Sequence, residues 1–306
     1  MHNKDRSAII LKASWIAIAG NAFLSVLKIA VGLVSGSISV VADGIDSASD
    51  IVTSLITLVT ARIISKPPNP KYPYGYGKAD TVATKALSFI IFFAGAQLAL
   101  STITKIINPV ERELPGIISI YVILVSVVGK YALAYYLNKT GKHIDSSMLI
   151  ANGRNMQNDV VISISVLLGL VFTFWFKLSI IDVITALLVS FYIMFIAFKI
   201  FMESNRDLMD GIGDTKIYNK IIEIVKSVEG AHNPHRIRVR KLANLYIVAL
   251  DMEIDGKLSL TEAHSISQEV DELIKREINN VYDVLIHIDP KGIKEDEAYG
   301  VSEVDL

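Results

Sequence analysis

Residues 37–59 read SISVVADGIDSASDIVTSLITLV, and residues 148–171 read MLIANGRNMQNDVVISISVLLGLV. Both are apolar stretches interrupted by oxygen-bearing side chains at one repeated spacing. The first places Asp43, Asp46 and Asp50 three and then four residues apart; the second does the same with Asn152, Asn155 and Asp159. On a helix, residues at those intervals share a face, so each segment points a column of oxygens in one direction. One aspartate at the centre of a membrane helix costs about 2.5–3.5 kcal/mol on insertion scales. Acids packed this densely need partners, and the cheapest partner is a cation. The two columns predict the transport site of a divalent metal carrier.

Outward from these columns the chain is apolar for two thirds of its length. Of 306 residues, 52% are hydrophobic, and mean hydropathy is +0.45. Six runs are each long enough to cross a lipid bilayer, which takes about 20 residues. They are residues 9–34, 38–64, 82–107, 114–137, 148–176 and 180–202. Lys and Arg set the orientation. Lys4, Arg6 and Lys12 precede the first run; Arg62, Lys66, Lys71 and Lys78 follow the second; Lys139 and Lys142 follow the fourth. The other connections hold few cations: none in VSGS, Lys105 and Arg112 beside Glu111 and Glu113, and Lys177. A multi-pass protein of the inner (plasma) membrane is expected, with both termini in the cytoplasm and the first helix retained.

Other classes are disfavoured. Net charge is −1, which gives no electrostatic footprint for nucleic acid. No Cys is present, which removes disulfides and thiolate metal ligands. No nucleophile–base pattern or Walker sequence marks an enzyme, so transport is expected to be secondary rather than ATP-driven.

From about Asp210 the chain becomes charged and amphipathic. IYNKIIEIVKSV (217–228) has helical period, HRIRVRKL (235–242) and NLYIVALDMEI (244–254) alternate, and Leu242-Ala243-Asn244 suits a hairpin link. LTEAHSISQEVDELIKREI (260–278) is an amphipathic helix with Ser259 as its N-cap, and YDVLIHIDP (282–290) is a last strand. The order αββαβ suits a ferredoxin-like two-layer sandwich. The expected division is a six-helix transport domain over 1–208 and an α/β domain with a short C-terminal tail over 209–306.

DGIDSASD, YPYGYGKAD (72–80), NMQND, AHSISQEVDELI and LIHIDP, with this helix and strand order, resemble the cation diffusion facilitator family along nearly the whole chain. The resemblance implies a homodimeric, proton-coupled exporter of divalent transition metals. Its α/β domain would mediate dimer contacts. On the family pattern the transport ligands fall on Asp46, Asp50, Asn155 and Asp159. Zinc-type members place His where Asn155 stands. Imidazole suits Zn2+, whereas carboxylate and amide oxygens suit harder ions, so Mn2+ is favoured, Fe2+ is next, and Zn2+ or Co2+ is the alternative. Asp43 and Asn152, nearly one turn away, are expected along a wet vestibule.

His235, His264, His287 and Asp289 match positions where some members bind zinc in the α/β domain, although a further ligand position falls on Ala249. Tyr72 and Tyr76 stand where other members often carry His. Family analogy also pairs Lys78 with Asp210 in an interdomain salt bridge. Lys28 and Lys130 are expected to snorkel to helix ends. A metal-gated channel or a membrane metal sensor is the competing class; discrete acidic columns fit an ion site better than a pore ring.

Overall fold

The computed structural model describes residues 3–64, 66–108, 113–144, 146–242, 245–292 and 300–303. The chain separates into two compact units, Met1–Arg62 with Ala83–Phe201, and Ile63–Val82 with Met202–Leu306. Glu111, Arg112, Ala243 and Asn244 lie outside the described residues.

Six long helices supply the first unit: α1 (Asn3–Ser35), α2 (Ile38–Ile64), α3 (Ala79–Ile107), α4 (Ile118–His143), α5 (Ser147–Phe176) and α6 (Ile180–Leu208). Five of them are long and apolar enough to cross a membrane. The sixth, α2, has the length but carries Asp43, Asp46 and Asp50. The outward faces are apolar, with Phe23, Phe93, Phe195 and Trp175 exposed. Lipid suits such a surface, and water does not.

Small residues let the helices approach closely. A Cβ added at Gly44 of α2 would stand 2.6 Å from Ile29 Cγ1 of α1, and one at Gly129 of α4 would stand 3.0 Å from Leu24 Cδ1 of α1. Gly36 turns the chain between α1 and α2 at φ +73°, a conformation that suits residues without a Cβ. At the start of α2, Asp182 of α6 accepts from Ile38 N (2.8 Å) and Ser37 Oγ (2.7 Å). A carboxylate there satisfies orphan amides and complements the helix dipole.

Helix α4 differs from expectation. It begins after Pro115 and Gly116 and runs on through the polar stretch to His143. Lys130 therefore sits near its middle, about 18 Å from either end at about 1.5 Å per residue. That is too far for its side chain to reach an interface.

The second unit contains α7 (Lys216–Ser227), β1 (His232–Leu242), β2 (Leu245–Ile254), α8 (Leu260–Glu277) and β3 (Val281–Pro290). The sheet order is β1-β2-β3. Strands β1 and β2 pair antiparallel with Leu242 opposite Leu245, and β2 and β3 pair parallel with Asp251 opposite His287. The parallel pair requires a crossover, which α8 supplies. Ile221 and Val225 of α7, Val270 and Ile274 of α8, and Ile237, Val248, Leu250 and Met252 of the strands form one core. Ser259 caps α8 in a reciprocal box with Glu262.

Strand β1 is less regular than its alternating sequence suggests. Its register slips between His232 and His235 and again between His235 and Arg238, and Arg236 has φ +47°. Such bulges re-aim side chains; here His235 is buried.

Candidate metal centre

Helices α2 and α5 bring Asp46, Asp50 and Asp159 together. Each offers a carboxylate oxygen, and the three oxygens lie within 4.8 Å of one another. Asp46 and Asp159 are buried and Asp50 is half-buried. Oδ2 of Asp46 and Oδ2 of Asp50 are buried without a hydrogen-bond partner among the described residues. Asp50 and Asp159 line a cavity of about 230 Å³ together with Asn152 and Asn155. Three carboxylates this close repel one another strongly in a low-dielectric setting. They require a cation or protons, and an all-oxygen set with an amide at its edge suits a hard divalent ion.

Asp43 has a different setting from the vestibule expected for it. Its side chain has no solvent exposure and meets Lys28 Nζ at 2.9 Å. Ser163 Oγ of α5 donates to both of its oxygens, at 2.9 and 3.0 Å. Lys28 Nζ also donates to Asp43 O and to Ser47 Oγ, at 2.8 and 2.6 Å. Asp43 thus ties α1, α2 and α5 together. Asn152 is the member of the pair that lines the cavity.

Neither lysine snorkels. Lys28 and Lys130 are both fully buried. Lys130 Nζ lies 3.8 Å from Asp159 Oδ2 and makes no hydrogen bond among the described residues. Ser14 Oγ and Asn21 Oδ1 of α1, also buried without such a partner, belong to residues on the cavity wall. Their sequence signal is weak, because a lone Ser or Asn in an apolar helix usually bonds a neighbouring helix.

In the second unit, His235, Asp251 and Asp289 form a buried cluster with ligand atoms within 4.8 Å. His235 Nδ1 faces Asn233 O at 2.7 Å. A carbonyl only accepts, so Nδ1 carries a proton, and Nε2 is the nitrogen that faces the acids. That Nε2 lies 3.6 Å from Asp289 Oδ2, and His287 Nε2 lies 3.1 Å from Asp289 Oδ1. Asp251 is engaged by Arg236 Nη1 at 2.9 Å and Arg238 Nη2 at 3.3 Å, so its charge is already compensated. His264 stands exposed on α8 and is outside the cluster. Asn233 and Gly292 N hydrogen-bond Glu253; the Asn233 bond foremost holds its carboxyl below the ordinary value.

Lys78 Nζ contacts Asp210 Oδ1 at 2.5 Å, with the two side chains 35% and 45% exposed. A pair so open to water contributes at most about 1 kcal/mol. Tyr76 OH accepts from Asn69 Nδ2 at 2.9 Å, and Arg240 lies over the Tyr74 ring at 4.3 Å. These tyrosines organise the loop through ring contacts and neutral hydrogen bonds.

The profile of the cation efflux transmembrane domain matches residues 14–209, and that of the cation efflux protein cytoplasmic domain matches residues 214–291. Manganese efflux system protein MneP of Bacillus subtilis is 29% identical over 296 residues, spanning 94% of this chain and 98% of that protein. MneS, a manganese efflux system protein of the same organism, is 30% identical over 264 residues, spanning 86% and 89%. Cation-efflux pump FieF of Escherichia fergusonii is 28% identical over 291 residues, spanning 95% and 96%. With its apolar helices, its three-stranded α/β domain and these matches over nearly its whole length, the chain belongs to the cation diffusion facilitator family of multi-pass membrane transporters for divalent metal ions, and it is not an enzyme.

Proposed function

We propose that this protein exports Mn2+, with Fe2+ as the next best cargo, from the cytoplasm across the cell membrane in exchange for protons. Asp46, Asp50, Asn155 and Asp159 hold the ion. The observation that carries this reading is the convergence of three carboxylates, with no imidazole in the cluster among the described residues, beside a cavity that Asn155 also lines. Hard oxygen donors lower the advantage that nitrogen or sulfur ligands would give Zn2+. The similarity to MneP and MneS, both manganese efflux system proteins, supports the same cargo.

The mechanism follows from charge. With the ion bound, the carboxylates must be ionised, because ligands bind metal in deprotonated form. When the ion leaves, their mutual repulsion favours protons in its place. A site that faces each side of the membrane in turn would then exchange metal for protons. Residues 1–208 perform this step, with both termini in the cytoplasm. Residues 209–306 join two copies into a homodimer, a role supported by the match to the family's cytoplasmic domain. His235 and Asp289 of the buried cluster, with His287 at 3.1 Å from Asp289 Oδ1, are the proposed metal ligands of that domain; Asp251 is left out because Arg236 and Arg238 engage it, and His264 because it stands exposed on α8.

Sealed vesicles containing the purified protein test the proposal. Mn2+, Fe2+, Zn2+ and Co2+ are offered separately under an imposed pH gradient. Gradient-dependent uptake fastest for Mn2+ is expected. Preference for Zn2+ or Co2+ would replace the cargo, and uptake indifferent to the gradient would point to a passive pore.

A further inference from the structure

We infer that Lys130 is a fixed positive charge built into the metal site, and that it sets the site's preference for a dication over a trication. The inference rests on the function proposed above and concerns a residue outside the ligand set.

Two buried lysines face the acidic helices, and they differ. Lys28 is satisfied: its ammonium reaches Asp43 Oδ2, Asp43 O and Ser47 Oγ, all within 2.9 Å. Lys28 and Asp43 cancel each other and add nothing to the charge of the ion site. Lys130 has no such set. Its ammonium is fully buried at mid-helix, bonds nothing among the described residues, and has Asp159 Oδ2 at 3.8 Å. A buried ammonium without hydrogen bonds is costly. A role as helix glue would place it within bonding distance of its acid, as Lys28 is.

Charge counting gives Lys130 its part. Asp46, Asp50 and Asp159 carry three negative charges when they ligate a metal. Lys130 offsets one of them, which leaves two, the charge of one divalent ion. The occupied site is then neutral in a medium that penalises net charge. A trivalent ion would leave one positive charge uncompensated. Without the lysine, the trivalent ion would be the one that balances.

The test uses the full-length protein with Lys130→Met, Lys130→Gln and Lys130→Arg. Binding of Mn2+ and of Lu3+, a trivalent ion of similar radius, is titrated at one pH, and Mn2+ flux is measured in vesicles. Each neutral variant is expected to raise Lu3+ affinity relative to Mn2+ by about tenfold or more. Each should also reach half-maximal flux at lower Mn2+ but with a lower maximal rate, because the ion is held too tightly. Lys130→Arg should keep the wild-type ratio. A purely structural lysine would lower stability and flux in the neutral variants without moving the Lu3+ to Mn2+ ratio; an unmoved ratio in either folded neutral variant overturns the inference. The wild type is a second check that needs no variant: it must hold Mn2+ at least as tightly as Lu3+, and the reverse order overturns the inference. Failure of wild type to bind Mn2+ at all would instead sink the proposed function.

Discussion

Lys28 and Asp43 form an ion pair at 2.9 Å in which neither side chain has any solvent exposure. Asp43 lies three residues before Asp46, so the helix that carries half of the candidate ion ligands is anchored to α1 by a buried charge. Removing one member of such a pair strands the other and typically costs about 3–5 kcal/mol, whereas replacing both with apolar groups is often neutral. Lys28→Met is expected to lower the unfolding free energy of the solubilised protein by about that amount, and Lys28→Met with Asp43→Leu to recover most of it. A double variant no more stable than the single one would contradict the anchoring role.

Asn155→His should move preference from Mn2+ toward Zn2+. Asn offers a neutral hard oxygen, and neutral His offers a nitrogen better matched to zinc. His also adds a group that titrates near pH 6.5 when unperturbed, so proton competition should steepen between about pH 6 and 7 in the variant. The Zn2+ to Mn2+ ratio of transport rates is compared in both proteins at two pH values. An unmoved ratio would remove Asn155 from the ligands.

Residues 210–306 expressed alone should be soluble, fold as αββαβ and dimerise. Their buried core runs through α7, α8, β1 and β2, with partly buried residues of β3 packed against it. Sedimentation over micromolar concentrations reads the assembly. Strict monomers in both this fragment and the full-length protein would refute the dimerisation role.

Ser259→Ala should destabilise that fragment by about 1 kcal/mol through loss of the helix cap. Hydrogen bonds from Ser259 hold the Glu262 carboxyl below its ordinary value. A depressed folded pKa gives stability that is present above the unfolded value and fades as pH falls through the folded one. The gap between wild type and variant, measured by denaturant unfolding, should therefore shrink below about pH 4. A gap that widens in acid would contradict the capping box.

Much of this was legible in the chain. Spacing alone put Asp43, Asp46 and Asp50 on one helix face and Asn152, Asn155 and Asp159 on another, because helix period fixes which side chains share a face; the family resemblance chose the ligands among them. The αββαβ order and the Ser259 cap were readable because they depend on local chemistry. What could not be read was which acid of a column meets which neighbour. Asp43 continues the column of Asp46, and only the approach of α1 shows that Lys28 claims it. Lys130 reads as a snorkelling lysine from sequence because its distance from a helix end depends on where α4 stops. Asp251 entered the second cluster through strand register and the bulges around His235, which an alternating sequence does not announce.

If Asp50 and Asp159 hold the transported ion, reconstituted Asp50→Ala and Asp159→Ala, each confirmed folded and correctly inserted, must lose Mn2+ flux under a pH gradient. Each variant is expected to fall to the level of protein-free vesicles, because it loses both a ligand and a charge that balances the ion. Wild-type flux in either variant would contradict the account.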